Sequence, residues 1–124
     1  IPNFISQALC DEEVTVYGNG DQTRSFCYIS DLVTGLVALA ESDVNSPVNI
    51  GNPTEMTILQ LAENIIKATN SSSHIVHKGL PTDDPQIRQP DTTRARTLLN
   101  WEPLVPIDAG LSTTIEYFRK KLST

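Results

Sequence analysis

An α/β fold, mostly helical with a few short strands, is predicted by two observations. Helix-period apolar stripes alternate along the chain with short β-branched runs, and turn residues punctuate the junctions. There are no internal repeats and no long linker, and 124 residues with 39% hydrophobic content suffice for one small packed core.

The elements follow in order. Phe4 to Leu9 reads as the end of an amphipathic helix with Phe4, Ile5, Ala8 and Leu9 on one face. Val14 to Tyr17 is a short strand, stopped by Gly18-Asn19-Gly20, and an arginine-bearing strand follows. Asp31 to Glu41 is a helix with Leu32, Leu36 and Leu39 in one stripe and Ser30 as its N-cap. Pro47 to Gly51 reads as another strand ending in a Gly-Asn-Pro turn. Thr57 and Gln60 form a capping box before Ile58, Leu61, Ile65 and Ile66. After the loop Asn70-Ser71-Ser72-Ser73 come a strand at Ile75-Val76-His77, a helix ending at Leu99, and a closing amphipathic helix from Ile107 to Leu122.

Several functions are disfavoured at this level. A net charge of −6 argues against a broad nucleic-acid-binding surface. No apolar run is long enough to span a bilayer, so this segment is expected to make no membrane contact. The chain opens Ile1-Pro2-Asn3-Phe4 without Met or a basic leader, which is read as a fragment, though a processed start would look the same. Cys10 and Cys27 read as buried free thiols. His74 and His77, three apart near a strand, point to opposite faces and make a poor metal pair. Asp83 and Asp84, adjacent in a Pro-bounded loop, read as solvated. Asn70-Ser71-Ser72 has the pattern of an N-glycosylation acceptor.

The chemistry concentrates at two arginines. Arg24 follows the Gly-Asn-Gly turn, and Arg88 stands just before a helix. Each is permanently charged and offers a planar fork that matches phosphate oxygens in pairs, as a pyrophosphate between two sugars requires. Gly18-x-Gly20 lacks the third glycine of a dinucleotide fingerprint and opens no helix. Neither Tyr17 nor Tyr28 has a lysine four residues on, Tyr117 has Lys121 there in the closing amphipathic helix, and no Ser/His/Asp elbow is present.

The run from Val16-Tyr17-Gly18 through Gln22-Thr23-Arg24-Ser25-Phe26 to Asp31-Leu32 resembles the extended short-chain dehydrogenase/reductase family of nucleotide-sugar enzymes. So do Val48-Asn49-Ile50-Gly51-Asn52, Asp84-Pro85-x-x-Arg88-x-Pro90-Asp91 and Leu99-x-Trp101-x-Pro103. Within that family the chain is similar to the UDP-glucuronic acid decarboxylases, over essentially its whole length. The resemblance implies that residues 1–124 are the C-terminal, UDP-sugar-binding portion of an extended, Rossmann-type enzyme. The NAD-binding N-terminal Rossmann domain, with its Tyr-x-x-x-Lys pair, would lie outside this chain, and so would the catalytic residues. The resemblance further implies NAD as cofactor, UDP-glucuronate and UDP-xylose as ligands, a homodimer, and the Golgi lumen if the protein is animal-like, or else the cytoplasm.

Residue by residue, the resemblance gives Arg24 and Arg88 the pyrophosphate. Val14, Thr15 and Tyr17 match the strand whose backbone and side chains hold the uracil, with core packing the other role open to Val14. Phe4 and Ile1 border the uridine pocket. Asp91 either takes a ribose hydroxyl or caps the following helix. Gln22 either contacts substrate or is an exposed turn residue. Asp31 and Trp101 read as structural. The same grip serves epimerases and dehydratases, and a non-catalytic UDP-sugar-binding or oligomer-packing module is the reading from another class.

Overall fold

The computed structural model describes residues 1–123 and is mixed α/β. Helix α1 (Pro2–Leu9) starts on a proline in its first turn, where a missing N–H costs nothing, and buries Ile5 and Ala8. Asp11, at φ 52°, turns the chain into β1 (Val14–Tyr17). Strand alternation puts Val14 and Val16 fully inside and leaves Thr15 and Tyr17 on the other face. Gly18 and Gly20, at φ 65° and 81°, then reverse the chain into β2 (Thr23–Ser25). Gly20 is confined by space as well: a Cβ there would stand 2.8 Å from the Leu59 Cβ and 3.0 Å from a Val16 methyl.

Helix α2 (Ile29–Ala40) begins two residues earlier than its stripe suggests. Its N-cap is Tyr28, which makes no side-chain capping bond, so Ser30 lies inside the first turn and is not the cap expected of it. The acid beside it has a different task. Asp31 is buried, its Oδ2 accepts the N–H groups of Leu104 and Val105 at 3.1 and 2.9 Å, and its carbonyl accepts Trp101 Nε1–H at 3.1 Å. The indole lies so close to Gly35 that a Cβ at that position would come within 2.9 Å of the ring and 2.5 Å of Ile50. Pro47 to Gly51 does not form the expected strand. A strand needs a neighbour, and this stretch is held by side chains instead: Arg94 donates to the Pro47 carbonyl and to Ser46, and Asn49 donates to the Asp91 carbonyl.

Strand β3 (Glu55–Thr57) leads directly into α3 (Ile58–Thr69). The capping box forms as read: Thr57 Oγ1 accepts the Gln60 N–H at 3.1 Å, and Gln60 Oε1 accepts the Thr57 N–H at 2.9 Å. Asn70 ends α3 in the left-handed region. Then come β4 (Ile75–Lys78), β5 (Ile87–Arg88), α4 (Thr93–Leu99) and α5 (Ile107–Leu122). Asp108 in the first turn of α5 and Arg119, Lys120 and Lys121 in its last turn oppose the helix dipole favourably.

Two small sheets result. β1 pairs with β4 in parallel, with Tyr17 opposite Lys78. β2 lies between antiparallel β3 and parallel β5, with Arg24 opposite Arg88. The main core gathers Ile5, Ala8, Val14, Val16, Leu61, Ala62, Ile65, Leu111 and Ile115 from α1, β1, α3 and α5. Helix α2 contributes nothing to it and presents Ile29, Val33, Leu36 and Val37 outward. Both thiols are free, but Cys10 is exposed rather than buried, because it caps the solvent-facing C-terminal end of α1. Burial, then the nearby Asp31 carboxylate, push the Cys27 thiol up and keep it protonated. Among the described residues no helix is long and apolar enough to cross a membrane, and no acid, His or Cys cluster could hold a metal ion.

Candidate functional site

A cavity of about 440 Å3 opens where α1, β1, β2 and the end of β4 converge. It takes Asn3, Phe4 and Gln7 from α1, and Thr15 and Tyr17 from the outward face of β1. Gln22 and Arg24 line it from the far side of the glycine turn. Ile58, Lys78, Pro81 and Asp84 complete the wall. Four of the seven residues singled out from sequence, Thr15, Tyr17, Gln22 and Arg24, therefore meet in one place, and Phe4 joins them.

The backbone of β1 is the first functional element. Val14 N–H donates to the His74 carbonyl and Gly18 N–H to the Lys78 carbonyl, which fixes the edge facing β4. Alternate residues turn their peptide groups to the opposite edge, so those of Thr15 and Tyr17 face away from β4. On that edge Gln7 Oε1 accepts the Thr15 N–H at 3.2 Å, and Gln22 Nε2 donates to the Tyr17 carbonyl at 3.1 Å. The Thr15 carbonyl and the Tyr17 N–H are left open: one acceptor and one donor side by side on a cavity wall. A planar imide carries the complementary pair. Gln22 is thus neither an exposed turn residue nor free. It is 5% exposed, and its amide ties the end of β1 across the turn.

Arg24 is the second element. Its Nη1 donates to the Thr23 and Pro85 carbonyls at 2.7 and 2.8 Å, and its Nη2 pairs with Asp84 Oδ1 at 3.0 Å. A guanidinium has five N–H groups, so these three contacts leave the Nε–H and one Nη2–H without a partner. The pair also corrects the reading of Asp84, whereas Asp83 is exposed as expected. Asp84 is half-buried and bound to the cavity's arginine, because the loop folds back over β2. Arg88 does not line the cavity. It lies exposed on β5 directly opposite Arg24, about 4.8 Å away along the sheet, with no ion pair among the described residues. Like charges in register repel, and an anion shared between them removes that cost.

Val14 is in the core with no exposed surface, the packing role left open for it. Asp91 also lies outside the cavity wall and is exposed. Its Oδ1 accepts the Thr93 hydroxyl at 2.7 Å and the Thr93 N–H at 3.0 Å, and these bonds hold the carboxyl below the usual carboxylate range. It closes the start of α4 from one residue outside the formal cap, Thr92. Sequence reasoning missed Asn3, Gln7 and Lys78. The spacing of Asn3 and Gln7 to Phe4 on α1 would have placed them on the uridine side, whereas Lys78 becomes visible only through strand register.

The Gly18–Gly20 turn does not fit a dinucleotide. Gly18 and Gly20 shape a turn between two strands, with the Tyr17 carbonyl tied by Gln22, and no helix N-terminus opens there to meet a pyrophosphate.

The family model described as GDP-mannose 4,6 dehydratase matches residues 1–114. The chain is 54% identical to UDP-glucuronic acid decarboxylase 1 of Xenopus tropicalis, over 98% of this chain and 29% of that protein. It is 48% identical to UDP-glucuronic acid decarboxylase 5 of Arabidopsis thaliana, over 98% of this chain and 36% of that protein. The chain thus spans about a third of the curated relatives it matches. Among solved structures, a UDP-glucose 4-epimerase of Thermotoga maritima with UDP-glucose superposes with a TM-score of 0.92 at 34% identity, covering 96% of this chain and 38% of that one. A UDP-glucuronic acid 4-epimerase of Bacillus cereus, in complex with UDP-glucuronic acid and NAD, gives 0.89 at 30% identity, covering 96% and 39%. The chain therefore belongs to the GDP-mannose 4,6 dehydratase family, within the extended short-chain dehydrogenase/reductases of nucleotide sugars, and its sequence stands with the UDP-glucuronic acid decarboxylases.

Proposed function

We propose that residues 1–124 form the UDP-sugar-binding part of an NAD-dependent UDP-glucuronate decarboxylase that makes UDP-xylose. The observation that carries this reading is the open Thr15 carbonyl and Tyr17 N–H on one wall of a cavity whose other wall holds Arg24. The imide edge of uracil fits the backbone pair, the Tyr17 ring offers a face for the base, and Arg24 with Arg88 takes the diphosphate.

In the proposed reaction C4 of the sugar is oxidised, the β-keto acid loses carbon dioxide, and the ketone is reduced again at the same carbon. NAD, held by a dinucleotide-binding portion outside these residues, would supply the hydride acceptor and donor. This chain's contribution is positional. Binding energy gathered on the nucleotide, remote from the reacting carbon, keeps the sugar in one place through all the steps. The outward apolar row Ile29, Val33, Leu36 and Val37 of α2, and the apolar groove between Pro2, Tyr28, Ile107 and Tyr117, suit the face against which that portion would pack.

The test has two arms. The 124-residue chain alone is expected to bind UDP in a calorimeter and to yield no UDP-xylose from UDP-glucuronate and NAD. Grafted in place of the matching segment of the Xenopus tropicalis relative, it is expected to support formation of UDP-xylose, seen by mass spectrometry as a loss of about 44 mass units, with no net consumption of NAD. A folded, NAD-loaded graft that gives UDP-galacturonate at unchanged mass would favour the second reading, an epimerase, which the structural likeness to UDP-sugar 4-epimerases supports.

A further inference from the structure

Lys78 is the charged cavity residue that has no ion pair or side-chain hydrogen bond among the described residues. It ends β4, and the parallel register sets it directly opposite Tyr17. Register partners in parallel strands stand about 4.8 Å apart with side chains on the same face, so Lys78 rises beside Tyr17 on the face that Thr15 and Tyr17 give to the cavity. The backbone around it is well fixed. The Lys78 carbonyl accepts the Gly18 N–H, and His77 Nδ1 lies 2.8 Å from the Gly18 carbonyl, so the end of β4 is bound to the glycine turn from two sides. The Lys78 ammonium itself has no hydrogen bond or ion pair among the described residues.

The charge count in the cavity gives this lysine a purpose. Arg24 is half neutralised by Asp84, and Arg88 lies outside the wall. The chain as a whole carries −6. A diphosphate entering the cavity therefore meets a guanidinium already shared with a carboxylate, in a field that is negative overall. One exposed, unpaired cation on the cavity wall offsets that field.

We propose that Lys78 is a substrate-binding residue that reads the diphosphate of the bound nucleotide, while the backbone of Thr15 and Tyr17 reads the base. The proposal rests on the UDP-site reading above. It assigns the charge of the ligand to three cations, Arg24, Arg88 and Lys78, of which Lys78 is contributed by the strand that runs beside the base-binding one. A four-carbon stem lets its ammonium follow the phosphates as the nucleotide settles, which a fixed guanidinium such as Arg24 cannot do.

The experiment titrates the 124-residue chain, and in parallel the Xenopus tropicalis graft, with UDP and with uridine. Lys78→Met and Lys78→Arg are compared with the unaltered chain at two salt concentrations. Lys78 is exposed and ends its strand, so neither change threatens the fold. Lys78→Met is expected to weaken UDP about five- to tenfold, to leave uridine unchanged and to flatten the salt dependence, and Lys78→Arg to restore most of the loss. Equal losses for UDP and uridine would place Lys78 on the base and overturn the proposal, as would unchanged affinity for both. Arg24→Ala is the control: if it weakens UDP while Lys78→Met does not, only the role of Lys78 fails. If neither affects UDP, the UDP site itself is misplaced.

Discussion

Arg24→Ala is expected to weaken UDP binding by about one to two orders of magnitude. Two of its N–H groups are unused at a residue that lines the cavity, and a charge-assisted bond to phosphate contributes roughly 1.5–3 kcal/mol, at about 1.4 kcal/mol per tenfold. Arg24→Lys should recover only part of this. It keeps the charge but not the planar fork, and it cannot hold Thr23, Pro85 and Asp84 while still addressing a phosphate. Calorimetry with UDP reads the result, and circular dichroism checks the fold, since the substitution also releases the loop that Arg24 ties down. Unchanged affinity in a folded Arg24→Ala variant would reduce the residue to a surface salt bridge. Arg88→Ala, more exposed and outside the cavity wall, should show a smaller loss in the same assay.

Gly20→Ala is expected to cost about 2–4 kcal/mol of stability. Roughly 1 kcal/mol comes from forcing an alanine to φ 81°, and the rest from driving a methyl group against Leu59 and Val16. The Leu59 backbone nitrogen, 3.1 Å from the new methyl, leaves no easy way to yield. Urea unfolding measures the loss. Gly79→Ala is the comparison, because a Cβ there meets nothing within 4 Å and its φ is not positive, so it should be close to neutral. Equal stability of the two variants would mean that the turn relaxes freely. Since the same turn positions Tyr17 and Gln22, Gly20→Ala should also weaken UDP.

Sequence and structure agree where the signal is local. The Thr57–Gln60 box lies within one helical turn, and the stripe of α5 runs over four turns, so both are legible without any partner. The glycine turn and the Val14–Tyr17 alternation belong to the same kind. β3 and β5, three and two residues long, carry no readable period and exist only because β2 lies between them. Pro47 to Gly51 shows the converse. Its composition is that of a strand, but strand formation is a property of pairs, and among the described residues no strand pairs with it. The site divides in the same way. Arg24 and Tyr17 are legible from a short run, while Lys78 and Asp84 reach the cavity through contacts spanning about sixty residues of chain. Asp31 was recognisable as structural, but its bonds to the backbone of Leu104 and Val105 were not.

The separation of α2 from the main core has a consequence for how the molecule opens. Helix α2 is tied to the rest through the Trp101 indole on the Asp31 carbonyl, the Asp31 carboxylate and the tight approach at Gly35, whereas α1, β1, α3 and α5 share one continuous apolar cluster. Few buried contacts mean a low free energy for local opening. Amide hydrogens of α2 should therefore exchange with deuterium well before those of α3 and β1, in a sub-global event that leaves the UDP cavity intact. A protein or domain seated on Ile29, Val33, Leu36 and Val37 would slow that exchange selectively. The α2 amides thus report occupancy of that face independently of any ligand in the cavity.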